Sequence, residues 1–354
     1  MPDLSAGLSA GLSAGKVSIT GLSVLSALGR GAEAQLAAAL PGAAAFGEIR
    51  RFDTSNRRVT RAATALDARS LEEEMLDAVI TACADGGLTP AERAMTPLFL
   101  AVHDRAGVRG LATRAAKIYT SACVSASTAV ADAAALIRHG YADRIVVAAG
   151  YLVEADQFAL FDAGRALSDD STVRPFSLDR RGLLLGDGVV AVVLQRGEGQ
   201  AEIVGWGRAG DAYHPCRPAP DGQGLAAAIE AALRKAELPP DVVGYINANA
   251  TGTAFSDASE AAAIRAVFPT AVPVSSTKSV HGHALEASGL LELVMTVLAL
   301  RAGKLPVNAG FTTEDPACPL DLILDAPRPA TAQYGLTLNA AFGGANTALL
   351  VRAG

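Results

Sequence analysis

Apolar and polar positions along this chain repeat with two periods. Short apolar runs rich in β-branched residues are followed by longer Ala- and Leu-rich stretches with helical spacing. "VSITGLSV" (17–24) predicts a strand and "GAEAQLAAAL" (31–40) a helix. "ARSLEEEMLDAVITACADGG" (68–87) predicts an amphipathic helix, acidic in its first half and stopped by two glycines. "TPLFLAV" (96–102) predicts a buried strand, and "AKIYTSA" (116–122) leads another strand into a turn at Cys123. Alternation of this kind predicts an α/β architecture with strands buried on both faces.

The pattern also repeats over a longer range. "IYTSACVSASTAVADAAALIRHGYADRIVVAAG" (118–150) reads strand, Ser/Thr turn with a reactive-type residue, apolar helix, strand. "VPVSSTKSVHGHALEASGLLELVMTVLALRAGKLPVNAG" (272–310) repeats that scheme, with Lys278 and His283 around its turn. Each stretch is followed by a glycine-rich segment read as a hairpin into an apolar strand, "GLLLGDGVVAVVLQR" (182–196) and "NAAFGGANTALLVR" (339–352). A duplicated unit is the economical explanation, with halves at about 16–196 and 197–354 sharing one site at their junction. The first fifteen residues, a Ser-Ala-Gly-Leu repeat, read as a flexible tail.

Composition narrows the class. With 354 residues, half of them apolar, the chain can bury a substantial core. A net charge of −6 provides no bulk basic field for nucleic acid or anionic lipid. No apolar run reaches the ~18 residues of a membrane span. Cys83, Cys123, Cys216 and Cys318 are far apart and form no Cys-x-x-Cys pair, so neither a zinc site nor a disulfide framework is expected, and a cytoplasmic location is. "HGH" (281–283) lacks a third ligand at useful spacing, so no metal is expected.

Cys123 stands out among the thiols because it lies between a strand and a helix start, where backbone N–H groups can lower a thiol pKa. The plain alternative is a small buried apolar residue, the usual fate of a free cysteine. Cys83 falls mid-helix, and Cys216 and Cys318 fall in proline-containing loops. His283 is the histidine best placed to accept a proton, since it mirrors Cys123 in the second half. The arginines of "RRFDTSNRRVTR" (50–61) read as a solvated face.

Six segments occur in the order seen in β-ketoacyl synthases: "SAC", "RPFSLDRRGLLLGDG", "GDAYHPCRPAPDG", "YINANATGTAFSDASEAAAI", "SSTKSVHGH" and "FGGAN". The chain after Lys16 resembles this elongating branch of the thiolase superfamily. The resemblance implies the thiolase fold, α/β with five layers αβαβα built from two duplicated halves. It implies that Cys123 holds an acyl chain as a thioester, with an oxyanion hole from the backbone N–H groups of Cys123 and Phe342, Phe342 also being a gate. His283 would be the second histidine of the site and Lys278 its supporting lysine. Thr251 and Thr253 would bind the phosphopantetheine arm of an acyl carrier protein, the substrate carrier, with no permanently bound cofactor. Strand-end threonines are also common for structural reasons alone.

Two departures from the family pattern bear on chemistry. Elongating members read Asn-Ala-His-Gly-Thr-x-Thr, whereas this chain reads "NANATGT" (247–253), placing Asn249 where the first histidine belongs. An amide donates a hydrogen bond but takes up no proton. The family also carries a long dimer-forming and pocket-covering segment where this chain has only "RAGVRGLATRAAK" (105–117). Three functions follow. The first is acyl loading from carrier protein and condensation with a malonyl-type thioester in fatty-acid or polyketide biosynthesis. The second is acyl transfer without condensation, and the third a chain-length-factor-like partner subunit. The family implies a homodimer, or a heterodimer with another ketosynthase-like subunit.

Overall fold

The computed structural model describes residues 15–330 and 332–354. The tail expected over residues 1–15 therefore lies, except for Gly15, outside the described residues.

Five main strands come from the first part of the chain: β1 (Val17–Ser26), β2 (Leu98–Val102), β3 (Lys117–Tyr119), β4 (Arg144–Tyr151) and β5 (Gly188–Arg196). They lie in the order β3-β2-β4-β5-β1, with β2 parallel to both β3 and β4 and the rest antiparallel. The second part supplies β6 (Ala201–Gly210), β7 (Val243–Asn247), β8 (Pro273–Ser275), β9 (Tyr334–Ala341) and β10 (Ala345–Ala353). Their order is β8-β7-β9-β10-β6, with the same parallel and antiparallel pairings. The topology thus repeats strand for strand. β1 and β6 hydrogen-bond at Ser18–Glu202 and Ile19–Ala201, which joins the two sets into one continuous sheet at that end.

Five main helices complete the layers: α1 (Leu71–Asp85), α2 (Ser125–Arg138), α3 (Gln223–Ala236), α4 (Ala254–Val267) and α5 (Ser288–Arg301). α1 packs on the outer face of the first strand set, α3 and α4 cover the second, and α2 and α5 pack against each other between them. Side chains on successive strand residues point to opposite faces, and the cores follow that rule. In β5, Val189, Ala191 and Val193 join the outer cluster with Met75 and Val79 of α1. Val190, Val192 and Leu194 join the central cluster with α2 and α5. In β10, Leu349 and Val351 face that centre, while Ala348 and Leu350 face α3.

Local signals explain the elements. Ser70 and Glu73 form a reciprocal capping box at the start of α1. α5 is buried from Ser288 to Leu300, as an all-round apolar helix must be, yet carries Glu292. A Cβ at Gly289 would run into Ser127 Oγ, so glycine lets α2 and α5 approach backbone to backbone.

The structure corrects two sequence expectations. β9 and β10 form a true hairpin, but β4 and β5 are joined by a long excursion from Leu152 to Asp187. In that excursion Leu183–Asp187 runs past other parts of the chain, bridging at Leu185–His283 and Ala63–Gly186. The second correction concerns the mirror of Cys123. The turn Ala122–Val124 precedes α2 as the turn Leu285–Ala287 precedes α5, each opened by a left-handed residue, Ala122 at φ 50° and Leu285 at φ 42°. The counterpart of Cys123 is therefore Glu286, and His283 lies three residues before it.

Candidate active site

Cys123 is held in a strained turn between β3 and α2, with a left-handed alanine immediately before it. The second half brings His283 against it. His283 N–H donates to Leu184 O at 2.8 Å, and its carbonyl accepts from Gly186 N–H at 3.0 Å. Only glycine fits at 186, because a Cβ there would collide with the His281 carbonyl. So fixed, His283 Nε2 lies 3.1 Å from Cys123 Sγ, and Nδ1 lies 2.8 Å from Ser288 Oγ at the start of α5.

Electrostatics set the resting state of this pair. Burial pushes the Cys123 thiol up to about 12; the Glu286 carboxyl adds to the rise and Lys278 opposes it. Burial, then Lys278 and His281, hold the His283 imidazole well below its ordinary value. Both shifts favour a neutral thiol beside a neutral imidazole, an arrangement in which S–H can donate to Nε2 and Nδ1–H to Ser288 Oγ. The backbone N–H contribution does lower the thiol, as a helix start can, but desolvation is larger.

Asn249 follows β7, and its surroundings decide which way its amide points. Lys278 Nζ donates to Asn249 Oδ1 at 3.2 Å. An ammonium only donates, so the oxygen must face it and the amide nitrogen must take the other side. Lys278 in turn lies 2.6 Å from Glu292 Oε1, whose other oxygen accepts from Asn339 Nδ2 at 2.6 Å. Ser127 Oγ on α2 donates to Asn339 Oδ1 at 2.7 Å. A single buried polar chain therefore runs from α2 through β9 and α5 to Asn249.

The loop from Asn249 to Thr253 is pinned by two carboxyls of α4. Asn249 N–H donates to Glu260 Oε1 at 2.7 Å, and Asp257 Oδ1 accepts from Thr251 and Thr253 N–H at 3.2 and 3.3 Å. The Thr251 and Thr253 hydroxyls meet at 3.1 Å. Cys123, His283, Asn249, Thr251, Thr253 and Phe342 all line one cleft, which opens to solvent. Phe342 is 55% exposed in the β9–β10 hairpin loop and stacks on Phe161 with ring centroids 6.2 Å apart.

Sequence reasoning missed Ser288, Glu260, Glu292 and Asn339. A lone carboxylate in the apolar run "GLLELVMTVLAL" (289–300) was the one available signal. Cys216, set aside as a loop residue, lines the same cleft as Cys123. Three arginines of the 50–61 run turn out to be engaged within the fold. Arg51 forks onto Asp187 at 2.8 and 3.0 Å, Arg58 lies 3.3 Å from Asp162, and Arg61 donates to Phe46 O at 2.7 Å. Among the described residues, no helix is long and apolar enough to cross a membrane.

A buried thiol–imidazole pair where two matched α/β halves meet is the arrangement expected of the thiolase fold. Comparison with known proteins agrees. The family described as Beta-ketoacyl synthase, N-terminal domain, matches residues 86–199, and its C-terminal domain family matches 200–312. The chain belongs to the β-ketoacyl synthase family. It is 40% identical to nodulation protein E of Rhizobium leguminosarum bv. trifolii over 247 residues, covering 66% of this chain and 60% of that protein. It is 33% identical to 3-oxoacyl-[acyl-carrier-protein] synthase 2 of Staphylococcus aureus over 249 residues, covering 66% and 62%. The chain thus matches about three fifths of the length of these curated relatives. The solved ishigamide ketosynthase/chain length factor superposes with a TM-score of 0.88 at 25% identity, over 97% of this chain and 100% of that one.

Proposed function

We propose that this chain takes an acyl group from an acyl carrier protein onto Cys123 and condenses it with a malonyl-type thioester. In loading, Cys123 Sγ attacks the thioester carbonyl as its proton passes to His283 Nε2. The backbone N–H groups of Cys123 and Phe342 stabilise the oxyanion. Collapse expels the carrier's thiolate, which takes the proton back from His283. The hydroxyls of Thr251 and Thr253 hold the phosphopantetheine arm, and Phe342, stacked on Phe161, gates the cleft.

The observation that carries condensation is the orientation of Asn249. With Oδ1 on Lys278, its Nδ2–H is the donor left for the oxygen of the enolate formed when the malonyl carboxylate departs as carbon dioxide. Loss of the first family histidine thus leaves that hydrogen bond available. The relative named for acyl-carrier-protein chemistry supports the carrier as partner. The neighbour named as a ketosynthase/chain length factor supports assembly with a second ketosynthase-like subunit.

Intact-protein mass spectrometry tests the reading. Incubation with acyl carrier protein should add acyl mass at Cys123. Addition of malonyl carrier protein should then release carbon dioxide and a product two carbons longer. Acylation followed by transfer without carbon dioxide would replace this reading with simple acyl transfer. Failure to acylate, with Cys123→Ala behaving as wild type in a reconstituted pathway, would leave a partner subunit.

A further inference from the structure

The turn Leu285–Ala287 brings a carboxyl to the neighbourhood of the Cys123 sulfur. It packs directly on the turn Ala122–Val124 and on β2 and β4. The strands β2, β3 and β4 run parallel, so all three end on this side of the sheet. Ligands of open α/β sheets bind outside such carboxyl ends. Here the ends gather His103 after β2, Cys123 after β3 and Tyr151 as the last residue of β4. Tyr151 belongs to the same central cluster as Cys123 and Leu285. Glu286 acts on the Cys123 thiol more strongly than Lys278 or Glu292 does, and it acts on the Tyr151 phenol as well.

The two oxygens of Glu286, which is 4% exposed, are treated differently. Oε1 lies 3.1 Å from His103 Nδ1, and the other ring nitrogen of His103 meets the Gln157 amide at 2.5 Å. Oε2 is buried without a hydrogen-bond partner among the described residues, and so is the hydroxyl of Tyr151. Burial, then the carboxyls of Glu154, Asp187 and Glu286, hold that phenol well above its ordinary value, so it keeps its proton. An acceptor and a donor therefore stand unpaired around the thiol. Each costs free energy until something supplies its complement.

A hydroxyl fits both, because it donates to Glu286 Oε2 while accepting from Tyr151 O–H. A methylene meets neither, and an ammonium meets only the carboxyl. We propose that the acyl group carried by Cys123 is a short chain bearing a hydroxyl, which Glu286 and Tyr151 select. Both residues act on specificity, through a part of the chain that does not react. The inference rests on the ketosynthase reading above and names its class of acyl substrate.

Loading rates test it, measured as acyl mass appearing on Cys123 from butyryl, β-hydroxybutyryl and γ-hydroxybutyryl carrier proteins. The wild type should load one of the hydroxylated chains about 100-fold faster than butyryl, about tenfold for each hydrogen bond. Tyr151→Phe removes the donor and Glu286→Leu the acceptor. Each should lower that ratio about tenfold, and the double variant should bring it near one. A ratio taken within one protein is not moved by a general loss of activity. A wild-type ratio near one for both hydroxylated chains overturns the proposal and leaves the two groups to a structural water. Variants that keep the wild-type ratio overturn it too. Should the variants not fold, the wild-type ratio decides. A wild type that takes no acyl mass from these carriers or from longer unsubstituted ones refutes the underlying function instead.

Discussion

Alkylation of Cys123 distinguishes a neutral thiol from a preformed thiolate–imidazolium pair. The thiol is held at about 12, so at pH 7.5 it is ionised to only about 3 parts in 100,000, against about one in ten for an ordinary cysteine. That is roughly 3.5 decades less thiolate. A more basic thiolate is a better nucleophile, with a Brønsted slope of about 0.4–0.5, which returns about 1.5 decades. Iodoacetamide should therefore modify Cys123 about 100-fold more slowly than an ordinary thiol. The rate should climb about tenfold per pH unit from pH 6 to 9 without levelling. The measurement follows the Cys123 peptide by mass spectrometry in a Cys216→Ser background, because Cys216 is exposed in the same cleft. A plateau below pH 8 would refute the reasoning, since it would mean that His283 already holds the proton. Thioester loading at neutral pH does not conflict with this slow alkylation. In the proposed loading step His283 Nε2, 3.1 Å from the sulfur, takes the proton during attack.

Three further perturbations test the supporting structure. Asn249→Ala removes the oriented amide donor and should slow decarboxylation of malonyl thioester about 100- to 1000-fold, measured as carbon dioxide release. Lys278→Met leaves the Glu292 carboxylate buried without its 2.6 Å partner and should cost about 3–5 kcal/mol in denaturant unfolding. Adding Glu292→Leu should recover most of that, and no recovery would place the loss elsewhere. Gly289→Ala drives a methyl into Ser127, whose nitrogen would lie 2.9 Å from the new carbon, and should cost about 1–3 kcal/mol in the same assay.

How far the sequence could be read depended on whether the signal was periodic or chemical. The duplicated strand–turn–helix pattern at 118–150 and 272–310 was legible because both copies obey the same burial constraint, and the matched strand orders show that constraint in three dimensions. The "GLLLGDG" segment misled because its glycines were read as a hairpin. Their work is long-range: Gly186 admits the His281–His283 backbone alongside. Pairing Cys123 with His283 by symmetry likewise reached the right imidazole on a wrong correspondence. The two residues meet because Leu184 and Gly186 clamp His283 across the junction, not because they are equivalent. Ser288, Glu260, Glu292 and Asn339 were illegible because a polar residue reveals its role only when its buried partner is known. The ionisation of Cys123 was out of reach for the same reason: a helix start is visible in sequence, but the desolvation that overrides it is not.

Asn249→His joins these strands. At this position Lys278 demands an acceptor at 3.2 Å, and Asn249 meets it with Oδ1 at any pH. A neutral imidazole could meet it with one ring nitrogen and offer the other as N–H to the enolate, so malonyl decarboxylation should rise if the site geometry is intact. Lower decarboxylation in Asn249→His would show that the cleft has been rebuilt around the amide, with Lys278 and Glu260 placed for its shape and no longer for a ring.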